Sequence, residues 1–596
     1  MRLIRGTMLT GLMLAGSLAG ASARWAGAEP ANAAALAMLD PSRAAALACA
    51  GRDSREPLLR QRLRLAATVA APDGIGAALP LYHDVPRSAF EPGGMTAAGR
   101  PWFDQGIEMA YNFNHAAAVA AFRRAQALAP GCALCFWGEA LVYGPNINAP
   151  MEDKARDATM AALGAARRLA ASAPALDRAL IDALSLRYSA DPGAHRDAMD
   201  AAYADAMLAL AARVTGNADL DVLAAEAAMD TTPWKYWDAT RTRANPRIDR
   251  AVALVEGVMA HHPDHQEAAH LYIHLMENYV DPARGEHAAD ALDHAAMPEA
   301  GHLVHMPGHI YYRIGRYKDS IRANVAAARA DEAYLARVPD DGLYRYGYYP
   351  HNVHFIVTSA QQAGDLATAI DQADKLRRIL PDDKVIELGW VEPVAAAPLF
   401  AYAQGGTRAQ ILGLPRPDAR LGYVVAMWHY ARATAFARAR DTAAVDAELA
   451  AMEALIPTPA ITRLEDQGVQ ARNLIRIAQD VARGRLAYAQ GRYDAAVAHY
   501  RAAAAIEATI PYQEPPYWYY PVGQSLGAAL LAAGKPLEAR DAFRSALLRG
   551  PGNAWALWGL ARAEAALGHT LESRAADAAF DRAWLGGRAL PELDRL

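Results

Sequence analysis

The stretch W-F-D-Q-G-I-E-M-A-Y-N-F-N-H-A-A-A-V-A-A-F-R-R-A-Q-A-L-A-P, from Trp102 to Pro130, decides the fold. Its apolar residues recur at three- and four-residue spacing on both sides of the turn at Asn114 and His115, so it is read as a pair of amphipathic helices closed by Pro130. The same frame returns as Gly308, Tyr311, Gly315, Tyr317, then as Gly364, Ala369, Pro381, and again as Leu526, Gly527, Leu530, Gly534, Ala539, Phe543, Pro551. Looser copies run through Arg440 to Pro457 and through Gly484, Gly491, Tyr493 and Tyr500. No alternating strand pattern interrupts them beyond about Ala97. A helix pair that cannot bury its apolar face alone must bury it on its neighbours, which predicts an all-α fold, an α-solenoid of stacked helix pairs.

Trp102, Gly106, Ala118, Phe122, Ala125 and Pro130 fit the skeleton of a tetratricopeptide repeat (TPR), and the chain resembles TPR arrays over most of its length after Ala97. That resemblance implies a TPR-like superhelix whose concave groove binds an extended peptide or another protein. The strings from Phe103 to His115, Cys132 to Met151, Pro233 to Trp237 and Gly301 to Tyr317, with H-N-V-H-F from His351, are similar to a bacterial group of exported TPR proteins of uncharacterised function. The similarity implies fold and export, from about Phe103 to Gly534, and supplies no substrate.

Arg2 and Arg5 precede an apolar run from Met8 to Ala21, followed by small-residue cleavage candidates at Ala21-Ser22-Ala23 and Ala26-Gly27-Ala28. This predicts a secretory signal peptide over 1–28 and a periplasmic or secreted protein. No later run is long enough for stable membrane insertion. The expected organisation beyond it is an irregular or helical segment over 29–96, repeats over 97–260, a His-rich set over 261–381 and C-terminal repeats over 382–596. A net charge of −5 gives no electrostatic footprint for nucleic acid. Of three cysteines, Cys132 and Cys135 open a helix as C-x-x-C without a βαβ context, so they are read as a structural pair, and Cys49 stands apart.

Function concentrates between Ala269 and Phe355. His270, His274 and Glu277 stand four then three residues apart, His302, His305 and His309 three then four, and His351 and His354 three apart. Each set shares a helix face. In the TPR frame these residues fall at concave-groove positions, while the packing positions between them are apolar or small. Imidazole is the commonest metal ligand, so the eight side chains are candidates for a transition-metal site. With histidine, one carboxylate and no thiolate, zinc, copper and iron all suit it. Glu277 is a candidate ligand, a candidate acceptor for an imidazole N–H, or a candidate catalytic base. The alternative is a polar network that binds an anionic, peptide or small-molecule partner without catalysis.

The segment from Asp331 to Tyr349 is read as a tyrosine-rich insertion, with Tyr346, Tyr348, Tyr349 and Arg313 as candidate walls of a ligand groove. Asn112, Asn114, His115, Glu139, Asn146 and Asn148 are expected to fix the Gly144–Asn148 loop by hydrogen bonds. His261, His262 and His265, around Pro263, are expected to be solvated. His195, His429, His499 and His569 are read as surface or satisfied core histidines.

Overall fold

A computed structural model describes residues 75–297, 299–510, 513–588 and 590–591. The expected signal peptide, most of the 29–96 segment and Cys49 lie outside the described residues. Among them the chain is helical throughout, with no strand and one isolated bridge between Trp237 and Ala244.

The first pair joins Arg100–Tyr111 to His115–Leu128. Asn114 ends the turn by accepting a hydrogen bond from Ala117 N, the usual device for satisfying a helix's first amides. Asp365, Asp441 and Asn553 cap later second or first helices in the same way. Between the two helices of later pairs the chain turns through glycines in the left-handed region, Gly315, Gly364, Gly491 and Gly534, where a β-carbon is disfavoured. Pairs then stack in chain order: Ala471–Ala489 on Tyr493–Glu507, that on Val522–Ala532, and so on through Pro536–Arg549, Ala554–Ala566 and Thr570–Ala583. Two large apolar clusters form the core, one from Ile75 to Tyr348 and one from Ala328 to Ala576.

The array also folds back on itself. Ala554–Ala566 packs against Tyr349–Ala363, and Trp555 Nε1 donates to Gln361 O at 2.8 Å. Asn553 bonds Gln362, and Leu585 N donates to Ala363 O. The C-terminal pairs therefore lie against the His-bearing ones.

The tyrosine-rich stretch is not an inserted loop. Tyr317–Leu335 continues through Asp331, and Tyr344–Tyr348 is a π-helical turn running straight into Tyr349–Ala363. Cys132 and Cys135 form a disulfide, and Cys132 Sγ accepts from Cys135 N at the start of Ala133–Val142.

Candidate metal centre

Three helices carry the eight candidate ligands: Gln266–Glu277, the run Gly301–His305 with Pro307–Arg313, and Tyr349–Ala363. The second is held by the first repeat. Asn112 Oδ1 accepts from His302 N at 2.9 Å and Leu303 N at 3.2 Å, satisfying the first amides of a helix that lacks its own capping side chain. Asn112 thus positions a histidine helix instead of fixing the Gly144–Asn148 loop. In that polar group His115 does bond Asn146, while Glu139 is taken by Arg123 and Gln126.

Six imidazoles form two trios, His270 with His274 and His302, and His305 with His309 and His351; within each, the ligand atoms lie within 4.8 Å of one another. All but the half-buried His351 are buried. The expected open groove is therefore replaced here by an enclosed core. His354 belongs to neither trio: its ring packs on Tyr519, and both its nitrogens are buried without a hydrogen-bond partner.

The outer nitrogens are oriented from behind. His270 Nδ1 meets Glu267 Oε2 at 2.8 Å, and His274 Nδ1 meets Glu277 Oε1 at 2.7 Å. His309 Nδ1 lies 2.7 Å from the other oxygen, Glu277 Oε2. His305 Nδ1 lies 2.6 Å from Asn324 Oδ1; since the Asn324 amide nitrogen donates to Ser320 O, that oxygen accepts and His305 Nδ1 must carry the proton. Glu277 therefore stands behind two imidazoles with both oxygens engaged. Oε1 takes the acceptor role, while Oε2 stands in ionic contact with His309 without a hydrogen bond.

These assignments leave Nε2 of His270, His274 and His305 as lone pairs, whereas His302, whose Nδ1 is buried without an acceptor, carries its proton on Nε2 and donates to His270 Nε2 at 3.2 Å. His305 Nε2 and His309 Nε2 are 2.8 Å apart. His274 Nε2 is buried without a partner. Two nitrogens each about 2.0–2.1 Å from one ion stand roughly 2.8–3.4 Å apart when the angle between them is near 90–110°. Both observed separations fall in that interval, so the residues fit a metal.

Electrostatics favours neutral imidazoles at His270, His274, His302, His305 and His351. Burial, reinforced by the neighbouring imidazoles, pushes His270, His302, His305 and His351 well below the ordinary histidine value. Burial also lowers His274 and takes His354 down to about 3. Burial pushes the Glu277 carboxyl up, but His309 and the bond from His274 outweigh it and hold the group below the usual carboxylate range. Neutral imidazole is the metal-binding form.

Sequence reasoning missed Glu267, Asn324 and Glu514. Glu514 joins Glu277 and His309 in a third cluster of ligand atoms and lies 4.0 Å from Arg313. Of the expected groove walls, Tyr348 meets the site, its ring 4.9 Å from that of His302. Arg313 Nε donates to Glu277 O at 2.8 Å. Tyr346 and Tyr349 point elsewhere: their hydroxyls bond Asp341 and Glu332. The π-turn has Tyr349 N bonding Tyr344 O, which shifts the helical phase, so that Tyr344 and Tyr348 pack in the first apolar cluster and Tyr349 in the second. His265 is not solvated either, for it caps Gln266–Glu277 and lies 3.4 Å from Asp219; His261 and His262 are exposed.

No family model and no curated protein sequence matches the chain. Solved structures do align with it. A human IFIT1 dimer with PPP-AAAA is similar at 12% identity, covering 81% of this chain and 96% of that one, with a TM-score of 0.30. The APC/C hetero-tetramer Cut9-Hcn1 aligns at 12% identity over 82% and 96%, with a TM-score of 0.26.

Proposed function

We propose that this TPR-like solenoid holds a transition metal in its buried histidine core. One observation carries the proposal: the His305 and His309 Nε2 atoms stand 2.8 Å apart while both Nδ1 atoms face acceptors. Two imidazole nitrogens at that distance share a cation, a proton or a metal ion, and His351 completes a third donor for the metal. Imidazole donors supported from behind by Glu277, Glu267 and Asn324 are the usual construction of a resident metal site. Zinc, copper and iron remain the candidates by donor type.

A bound ion with open positions would supply Lewis acidity to a small molecule, or would itself be the cargo of a metal-handling protein. The chain's own residues would orient the donors, exclude bulk water and keep the imidazoles neutral. The reading includes a periplasmic or secreted location; the disulfide supports that compartment, since such bonds persist under oxidising conditions. Burial of the rings counts against an extended peptide as the ligand of this face.

The test is zinc retention by the metal-stripped, reloaded full chain after desalting. His305→Ala and His309→Ala should release zinc that the wild-type chain keeps. Equal retention by folded variants would return the histidines to a polar network and the protein to the role of interaction scaffold.

A further inference from the structure

The histidines divide in a way that a single ion does not explain. Each trio is complete in itself, with three imidazoles from two helices: His270 and His274 with His302, and His305 and His309 with His351. Rings of the two trios face each other, His302 and His305 at 5.9 Å and His274 and His309 at 5.8 Å between centroids. One carboxylate spans them, Glu277 reaching His274 of one trio with Oε1 and His309 of the other with Oε2.

Resting on the metal reading, we propose that the core holds two ions side by side, one on each trio, with a shared position between them for a small bridging ligand. Three imidazoles saturate neither a tetrahedral nor a five-coordinate ion, so each keeps an open position. Where the trios adjoin, those positions meet, and one oxygen donor of water size serves both.

Carboxyl groups stand behind both trios. Three carboxylates are buried around the trios: Glu267 behind His270, Glu277 behind His274 and His309, and Glu514 beside Glu277 and His309. Arg313 lies 4.0 Å from Glu514, and Arg241 acts on the same carboxyl group.

The nitrogen-only donor sets, without thiolate, suit zinc and rank copper(II) highest among first-row divalent ions. The probes are therefore zinc(II) and copper(II), titrated separately into the metal-stripped full chain, with bound metal counted after dialysis. The wild-type chain should saturate at about two ions per molecule, and His302→Gln or His351→Gln should each lower this to about one. In the copper(II) form, neighbouring ions couple magnetically, so the spins counted by electron paramagnetic resonance should fall well short of the copper present. Each variant should restore the full count.

Saturation of the wild-type chain at one ion, with either variant abolishing it, would overturn the paired site and leave a single shared ion. Full spin count in a doubly loaded wild-type chain would overturn adjacency. Failure to retain either metal would overturn the metal reading itself. Stoichiometry of the wild-type chain decides the matter even if a variant misfolds.

Discussion

The repeat at Gly308 and the repeat at Gly527 share a register and differ at several inward positions, one of them over the glycine itself. Sixteen residues after the glycine stands Phe543 in one and Asn324 in the other. Phe543 lies flat on Gly527, where an added β-carbon would meet its ring at 2.7 Å, and the ring also covers Gly559 of the next pair. Phe122 does the same for Gly106 and Gly138, and Tyr500 for Gly484. In the His-bearing repeat the space over Gly308 is filled by the Asn324 amide, 2.4 Å from where a β-carbon would stand, and Ser320 bonds Ser359 of the following pair. An amide in place of a ring turns an apolar clamp into an anchor for His305. The scaffold is unchanged; the chemistry of its interior is not.

Breaking the clamp should give the largest stability effect. Phe543→Asn should cost about 3–5 kcal/mol by denaturant unfolding, as loss of a buried ring does, and leave metal content unchanged. The converse substitution, Asn324→Phe, should release His305 and weaken metal binding about 10–100-fold in chelator competition. Metal binding indifferent to Asn324 would break the comparison.

Glu392 gives the C-terminal region a pH dependence of its own. It is fully buried, accepts from Tyr423 N at 2.8 Å, and burial pushes its carboxyl up to about 7 from 4.5. Between those values the folded chain keeps a proton the unfolded chain has lost, so stability falls as pH rises, by at most about 3 kcal/mol. Glu392→Gln keeps the acceptor and removes the titration. Its stability relative to wild type should therefore rise between pH 4.5 and 7, measured by unfolding at each pH.

Gly308→Ala and Gly527→Ala should each cost roughly 1–3 kcal/mol through overpacking, but only the first should also weaken metal binding, because the group it displaces is Asn324. The smallest effect belongs to His429, whose Nδ1 meets Glu448 at 2.5 Å on a partly exposed surface. His429→Ala should change stability by at most about 1 kcal/mol, with no change in metal content. A pairing of Nδ1 with a carboxylate is thus common to both regions. What distinguishes the core is that its Nε2 atoms face one another.

Local spacing made part of this legible. Glycine and aromatic register from Trp102 onward revealed the helix pairs, and three- and four-residue steps placed His270, His302 and their neighbours on common faces. The division into two trios was not legible, because it depends on how three helices cross. Glu514 and the packing of Trp555 on Gln361 come from pairs far along the chain, which return to the site only through the curvature of the array. Tyr346 and Tyr349 were misplaced since a π-turn resets the phase that a count of 3.6 residues assumes. Asn324 is marked in the sequence by register alone: it stands where the other copies place a ring.

The most direct test is elemental analysis of the chain purified without a histidine tag from its own host. The account predicts at least about one equivalent of zinc, copper or iron per molecule, reduced by about one in His305→Ala. A folded wild-type chain carrying only traces of these metals would contradict it.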